Sequence, residues 1–263
     1  MGLIHLKNSF INEMTFNFEP VSNDSRLTQE RLLSLSTNEI QEFKTFKIEK
    51  RKQDWIAGRI AAKKAIQLLL QQKGLPIPDS STIQISKSRT GRPVISLAES
   101  KNNSPLIESN SWFVLKELVK ELDISISHSG KSACAAAVQC FSPDEHSPST
   151  RRIGIDLEKI EPLDPVLFPI ALTASEKNQI EKNNNEINIS SFYAIWTAKE
   201  ALLKALDLGL SVDLLQLEVN LINLTGKAQV NNPNAAKVTF LNKEYRVNFH
   251  YLKDYILSSC LIL

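Results

Sequence analysis

Cysteine and histidine are scarce in this sequence, and neither is clustered. The three cysteines, Cys134, Cys140 and Cys260, are too few and too scattered for a disulfide framework. No His/Cys group has the spacing of a zinc site, so the thiols read as reduced and buried in a cytosolic protein. No apolar run approaches the ~20 residues of a membrane span. The opening MGLIHLKNSFINEM lacks the charged-then-apolar order of a secretory signal, and neither Leu6 nor Lys7 is the hydroxyl residue of a myristoylation site. These absences predict a cytoplasmic location with no membrane partner. Charge of one sign is missing too: 31 basic against 29 acidic residues leave a net +2. That balance argues against a nucleic-acid binder relying on bulk charge and leaves room for a local basic pocket. What remains is an ordinary globular composition, 42% hydrophobic over 263 residues, enough for one large domain or two small ones with a real core.

The most informative stretch is FYAIWTAKEALLKALDLGL, Phe192 to Leu210. At roughly 100° per residue it reads as a helix whose apolar face holds Ile195, Leu202, Leu203 and Leu206. Lys199 projects from within that face, with Glu200 and Lys204 on its rim. An ammonium in an apolar arc must find an anion or a wet pocket, and a substrate phosphate would serve. Glu200 and Lys204 also have a plain reading as an i,i+4 ion pair.

The chain repeats itself. Trp55, Arg59 and Lys63 recur at the same offsets as Trp196, Glu200 and Lys204, with Ala57 matching Ala198. Gly-Leu follows each helix, at Gly74–Leu75 and Gly209–Leu210, as a C-terminal stop. Alternating strands come next, STIQIS and LQLEVNL, each leading to a Thr-Gly-basic turn at Thr90–Gly91–Arg92 and Thr225–Gly226–Lys227. Both halves close on a strand pair. The Pro- and Ser-rich segment 141–152 reads as the linker. This predicts an α+β fold built as a pseudo-twofold tandem of similar halves, each a long helix on a small, mainly antiparallel sheet. The halves are 1–143 and 144–263, with an active site in the cleft between them. Arg59 and Glu200 at matched positions suggest that one half binds anions and the other metal.

RRIGIDLEKI alternates cleanly, with Gly154, Asp156 and Glu158 on one strand face. Residues two apart lie about 6.6 Å from each other along a strand, so both carboxylates look into one volume. Gly154 is expected to leave room there for something bulky. With Glu200 near the same face, three acidic groups call for a cation, and Mg²⁺ suits carboxylates that leave positions for water and phosphate. In ISISHSG, alternation sets Ser125, Ser127 and Ser129 on one face and His128 at the strand end. Adjacent His128 and Ser129 cannot form a nucleophilic triad, and an anion-binding role for the imidazole fits better.

In order, GRP at 91–93, ISHSG at 126–130, GIDLEK at 154–159 and WTAKEALLKALDLGL at 196–210 resemble the 4′-phosphopantetheinyl transferases of the Sfp type. The likeness spans most of the chain, and its two-half length differs from the short trimeric holo-acyl-carrier-protein synthases. The resemblance implies transfer of phosphopantetheine from coenzyme A to a serine of an apo acyl, peptidyl or aryl carrier protein, releasing 3′,5′-ADP. It implies fatty-acid, polyketide or nonribosomal-peptide synthesis as the setting, and a monomer as the working form. Asp156, Glu158 and Glu200 would hold Mg²⁺, for which Mn²⁺ can substitute. Glu200 would be the general base, with Lys199 and Lys204 on the pyrophosphate. Ser127 and His128 would contact the coenzyme's phosphates, and Arg59, Lys63 and Arg92 its 3′-phosphate side. Arg92 stands where many members carry lysine, and a guanidinium grips phosphate at least as well.

Two other classes compete. A Mg²⁺-dependent nuclease or phosphohydrolase also clusters Asp, Glu and Lys, but Glu158 and Lys159 are adjacent here and no basic-aromatic track is present. A carrier-binding module without catalysis has no use for all of Asp156, Glu158 and Glu200.

Overall fold

The computed structural model describes residues 14–98, 109–140, 151–181, 187–222 and 234–262. They form two compact units, the first ending at Arg152 and the second running from Ile153 to Ile262. The expected boundary at 143/144, most of the 141–152 linker and the turn at Thr225–Gly226–Lys227 lie outside the described residues. The class is α+β, as the alternation of helical and strand periods predicts. No helix among the described residues is long and apolar enough to cross a membrane.

The first unit carries a three-stranded antiparallel sheet. Its order is β1 (Thr15–Pro20), β5 (Ser132–Gln139), β4 (Leu122–Ser129). The long helix α3 (Glu49–Gln72) lies on β5 and β1. The run SACAAAVQ explains the fit: Ala133 to Ala137 are small and fully buried, so the helix backbone can approach closely. Ile66, Leu69, Leu70, Leu115 and Ile124 close the core, each burial contributing roughly 1.5–3 kcal/mol. The hairpin of β2 (Ile83–Lys87) and β3 (Pro93–Leu97) turns at Gly91, whose φ of +89° favours glycine.

The second unit holds one five-stranded sheet. Its order is β6 (Arg152–Lys159), β10 (Tyr255–Ile262), β9 (Lys243–Leu252), β8 (Asn234–Phe240), β7 (Glu218–Ile222). Helix α7 (Ile189–Ala205) packs on β10 through Ile195, Ala198 and Leu202. Buried Thr197 Oγ1 and Ser258 Oγ, 2.7 Å apart, tie helix to strand. Both closing strand pairs, β4–β5 and β9–β10, are where the alternation puts them. LQLEVNL is strand only in its second part. Asp213 accepts from Leu215 N at 3.0 Å and winds Leu214–Gln216 into a 3₁₀ turn first.

The register of the repeat differs from the sequence reading. In the first unit, Lys63 donates to Glu39 of α2 (Thr37–Thr45), and Glu39 accepts from Ile85 N of β2. In the second, Lys199 donates to Glu176 of α6 (Ala174–Ile180), which accepts from Val219 N of β7. Glu39 and Glu176 both close capping boxes, with Ser36 and Thr173 as the N-caps. Lys63 is therefore the counterpart of Lys199 and not of Lys204. Arg59 does not match Glu200, and Trp55 does not match Trp196. The residue matching Glu200 is Lys64, which pairs with Glu19 of β1.

Candidate functional site

The acidic cluster begins at Gly154. A Cβ there would lie 2.0 Å from Ala201 O and 2.4 Å from Ala205 N, so the backbone of α7 is the bulky group that fills the space the sequence suggests. This contact fixes where the helix crosses β6. Replacement of Gly154 by alanine must push α7 off the strand. Overpacking typically costs about 1–3 kcal/mol, and a clash with two backbone atoms of α7 puts this site at the upper end. Urea unfolding of Gly154→Ala measures it, and an unchanged midpoint would contradict the contact.

Two residues along the same face, Asp156 is buried, and its Oδ1 accepts from Lys204 Nζ at 2.6 Å. Lys204 thus prefers the strand carboxylate, where the sequence suggests a helix pair with Glu200. Glu200 is also buried, and its Oε1 has no hydrogen-bond partner. Burial first, then the charge of Asp156, pushes its carboxyl up to about 7; Lys204 opposes this and Glu158 adds to it. The structure so brings Asp156, Glu158, Glu200 and Lys204 together electrostatically. Among the described residues, no three His, Cys, Asp or Glu side chains converge tightly enough to hold an ion by themselves. The donor set nevertheless fits a hard cation that takes one or two carboxylates and keeps its waters, because Glu200 Oε1 is a buried oxygen lacking a donor.

Lys199 is not part of this cluster. It is fully buried, and its three N–H groups reach Ala171 O at 2.8 Å, Glu176 Oε2 at 2.7 Å and Leu214 O at 2.9 Å. No donor is left for a pyrophosphate. Burial pushes Lys199 down and Glu176 up, and each holds the other's charge in place. The anion that the apolar arc demands is internal.

The first unit contributes an open, basic depression of about 570 Å³ lined by Lys50, Arg51, Arg59, Lys87 and His128, with Trp55 in its wall. Arg59 is 5% exposed, its guanidinium 4.8 Å from the Trp55 ring centre. Nε and Nη2 have no hydrogen bond, although Glu39 Oε1 lies 3.8 Å from Nε. A buried guanidinium with unmet donors beside a basic cavity has the chemistry to receive an anion. Its pKa is lowered by burial against the pull of Glu42 and Glu39. His128 is half exposed, with Nδ1 4.0 Å from Asp54.

Three expected ligands of the donor do not reach this depression. Lys63 is fully buried and bonded to Ser34 O, Glu39 and Ser80 O. Arg92 is gripped at two points by Asp123, Nε to Oδ1 at 3.1 Å and Nη2 to Oδ2. Ser127 is buried and absent from the lining, because alternation along β4 turns it away from the face that carries Ile126 and His128. In their place stand Lys50, Arg51 and Lys87, which the sequence shows only as members of charge-rich runs.

Residues 152–260 match the sequence profile of the 4′-phosphopantetheinyl transferase superfamily. An L-aminoadipate-semialdehyde dehydrogenase-phosphopantetheinyl transferase of Schizosaccharomyces pombe is 28% identical over 181 residues, covering 65% of this chain and 61% of that relative. Among solved structures, a holo-ACP synthase from Plasmodium yoelii aligns over 48% of this chain and 92% of its own, with 19% identity and a TM-score of 0.37. One from Helicobacter pylori in complex with coenzyme A aligns over 48% and 98%, with 26% identity and a TM-score of 0.31.

Proposed function

We propose that this chain, whose residues 152–260 match the sequence profile of the 4′-phosphopantetheinyl transferase superfamily, moves phosphopantetheine from coenzyme A to a serine of an apo carrier protein. The observation that carries the reading is the buried Glu200, raised to about 7 beside Asp156 and Lys204 within the matched segment. A carboxyl poised there is part ionised at neutral pH and suits a general base.

The serine Oγ attacks the phosphorus that bears pantetheine. An O–P bond forms, the anhydride P–O bond breaks, and 3′,5′-ADP leaves. Glu200 takes the serine proton as the bond forms. Lys204, held on Asp156, would offset charge gathering on the leaving phosphate. Asp156, Glu158 and Glu200 are the residues that would hold Mg²⁺, which when bound supplies charge neutralisation at the pyrophosphate. Arg59, His128, Lys50, Arg51 and Lys87 would seat the 3′-phosphate end of the donor. The proposed working form is a monomer.

The test incubates the protein with coenzyme A, Mg²⁺ and a panel of apo carriers from fatty-acid, polyketide, peptide-synthetase and lysine-biosynthetic enzymes. Intact mass should show a gain of ~340 Da on at least one carrier, and EDTA should abolish it, as phosphoryl-transfer logic requires. A carrier that stays unmodified across the panel, or full activity in EDTA, would overturn the reading.

A further inference from the structure

Each unit is held by the same buried tie, and in the second unit it lies one residue from the proposed base. Lys199 joins three separated segments at one ammonium: Ala171 at the end of α5 (Phe168–Ala171), Glu176 of α6, and Leu214 before β7. Glu176 in turn accepts from Val219 N at 2.8 Å and Thr173 N at 2.8 Å. Turning or sliding α7 would break all three lysine bonds where no water can replace them. Glu200 follows Lys199 directly, so its direction round the helix is set by this tie. Its height over β6 is set separately by the Gly154 contact with Ala201 and Ala205.

We infer that Lys199 and Glu176 are positioning residues, a tie that aims Glu200 at Asp156, an inference resting on the function proposed above. The first unit repeats the chemistry with a different load. Lys63 reaches Ser34 O, Glu39 and Ser80 O, and Glu39 also accepts from Ile85 N. Arg59, not a base, lies beside that glutamate, one helical turn before Lys63. The same ion pair thus supports the donor pocket in one unit and the proton acceptor in the other.

The twin ties provide matched controls. Removing one charge of a buried pair is harsher than removing both, so the comparison is Glu176→Gln/Lys199→Met against Glu39→Gln/Lys63→Met. The second-unit variant should lose about 10–100-fold in kcat, the scale of a misplacement of about 1 Å. Its donor KM and its 3′,5′-ADP affinity by calorimetry should stay within about twofold, as expected when only transition-state interactions are lost. Amide exchange should quicken from Lys199 to Ala205 and leave α3 unchanged. The first-unit variant should instead raise donor KM and keep kcat. Wild-type kcat in the second-unit variant, or the same kinetic pattern in both, would overturn the inference. Should the double variant not fold, Glu176→Asp keeps the charge and withdraws the carboxylate, and the same split is expected of it. A wild-type protein that modifies no carrier sinks the proposed activity, and the exchange measurement alone then decides the tie.

Discussion

Glu200→Gln should lower kcat by about 10²–10⁴, the usual worth of a general base, and should make the protein more stable. The two effects share a cause. Glu200 is raised from 4.5 to about 7 by burial and by Asp156. Between those values the folded chain binds a proton that the unfolded chain releases, so stability falls as pH rises through the window and the loss is complete above about 7. At 1.36 kcal/mol per unit the carboxylate costs about 3 kcal/mol at pH 8. Glutamine has no charge to bury and escapes that cost. Unfolding in EDTA at pH 4.5 and pH 8 should show wild type and variant converging at the lower pH and the variant ahead at the higher. Undiminished kcat in the variant would remove Glu200 from the chemistry. Equal stabilities at pH 8 would remove the strained carboxylate.

Arg59→Ala should raise KM for coenzyme A by about 10–150-fold, from charge-assisted hydrogen bonds worth about 1.5–3 kcal/mol each. Its kcat should hardly change, because a phosphate remote from the reacting bond is held equally in ground and transition states. Dephospho-CoA, which lacks that phosphate, should be used by wild type and variant with similar KM, so the variant no longer distinguishes the donors. Arg59 is well placed for this effect: it is buried in the pocket wall, and Nε and Nη2 have no hydrogen bond. Equal losses with both donors would instead make it a structural cation beside Glu39, and would shift the phosphate seat to Lys50, Arg51 and Lys87.

The parts of the fold visible in the sequence are those governed by local period. Helix α7, the β4–β5 and β9–β10 pairs, and the shared face of Gly154, Asp156 and Glu158 follow from spacings of 3.6 and 2. At Lys199, Lys63 and Arg92 the structure departs from the sequence expectation for one reason. Each looks like a cation in need of an external anion, and each has a partner far away in the chain: Glu176, Glu39 and Asp123. No periodicity encodes such a pairing. The capping boxes at Ser36–Glu39 and Thr173–Glu176 are found only in the structure, and a box motif specifies no more than the glutamate's bond to its own N-cap. The two tryptophans suggest one repeat register by identity, whereas the buried lysines Lys63 and Lys199 mark the structural one. Gly154 signals space for something bulky, and what occupies it, the backbone of α7, is a distant segment that no local pattern names.

The stacking of Arg59 on Trp55 has an optical consequence. An indole 4.8 Å from the cation proposed to bind phosphate is a chromophore fixed in the wall of the pocket. An arriving dianion would draw the guanidinium's field away from the ring and alter its emission. Trp196 packs against Phe192 in the other unit, and Trp112 lies on α4 (Ser109–Lys120), near Lys116. Neither lines the depression. The fluorescence of this protein should therefore titrate with donor, and do so without label, acceptor or turnover.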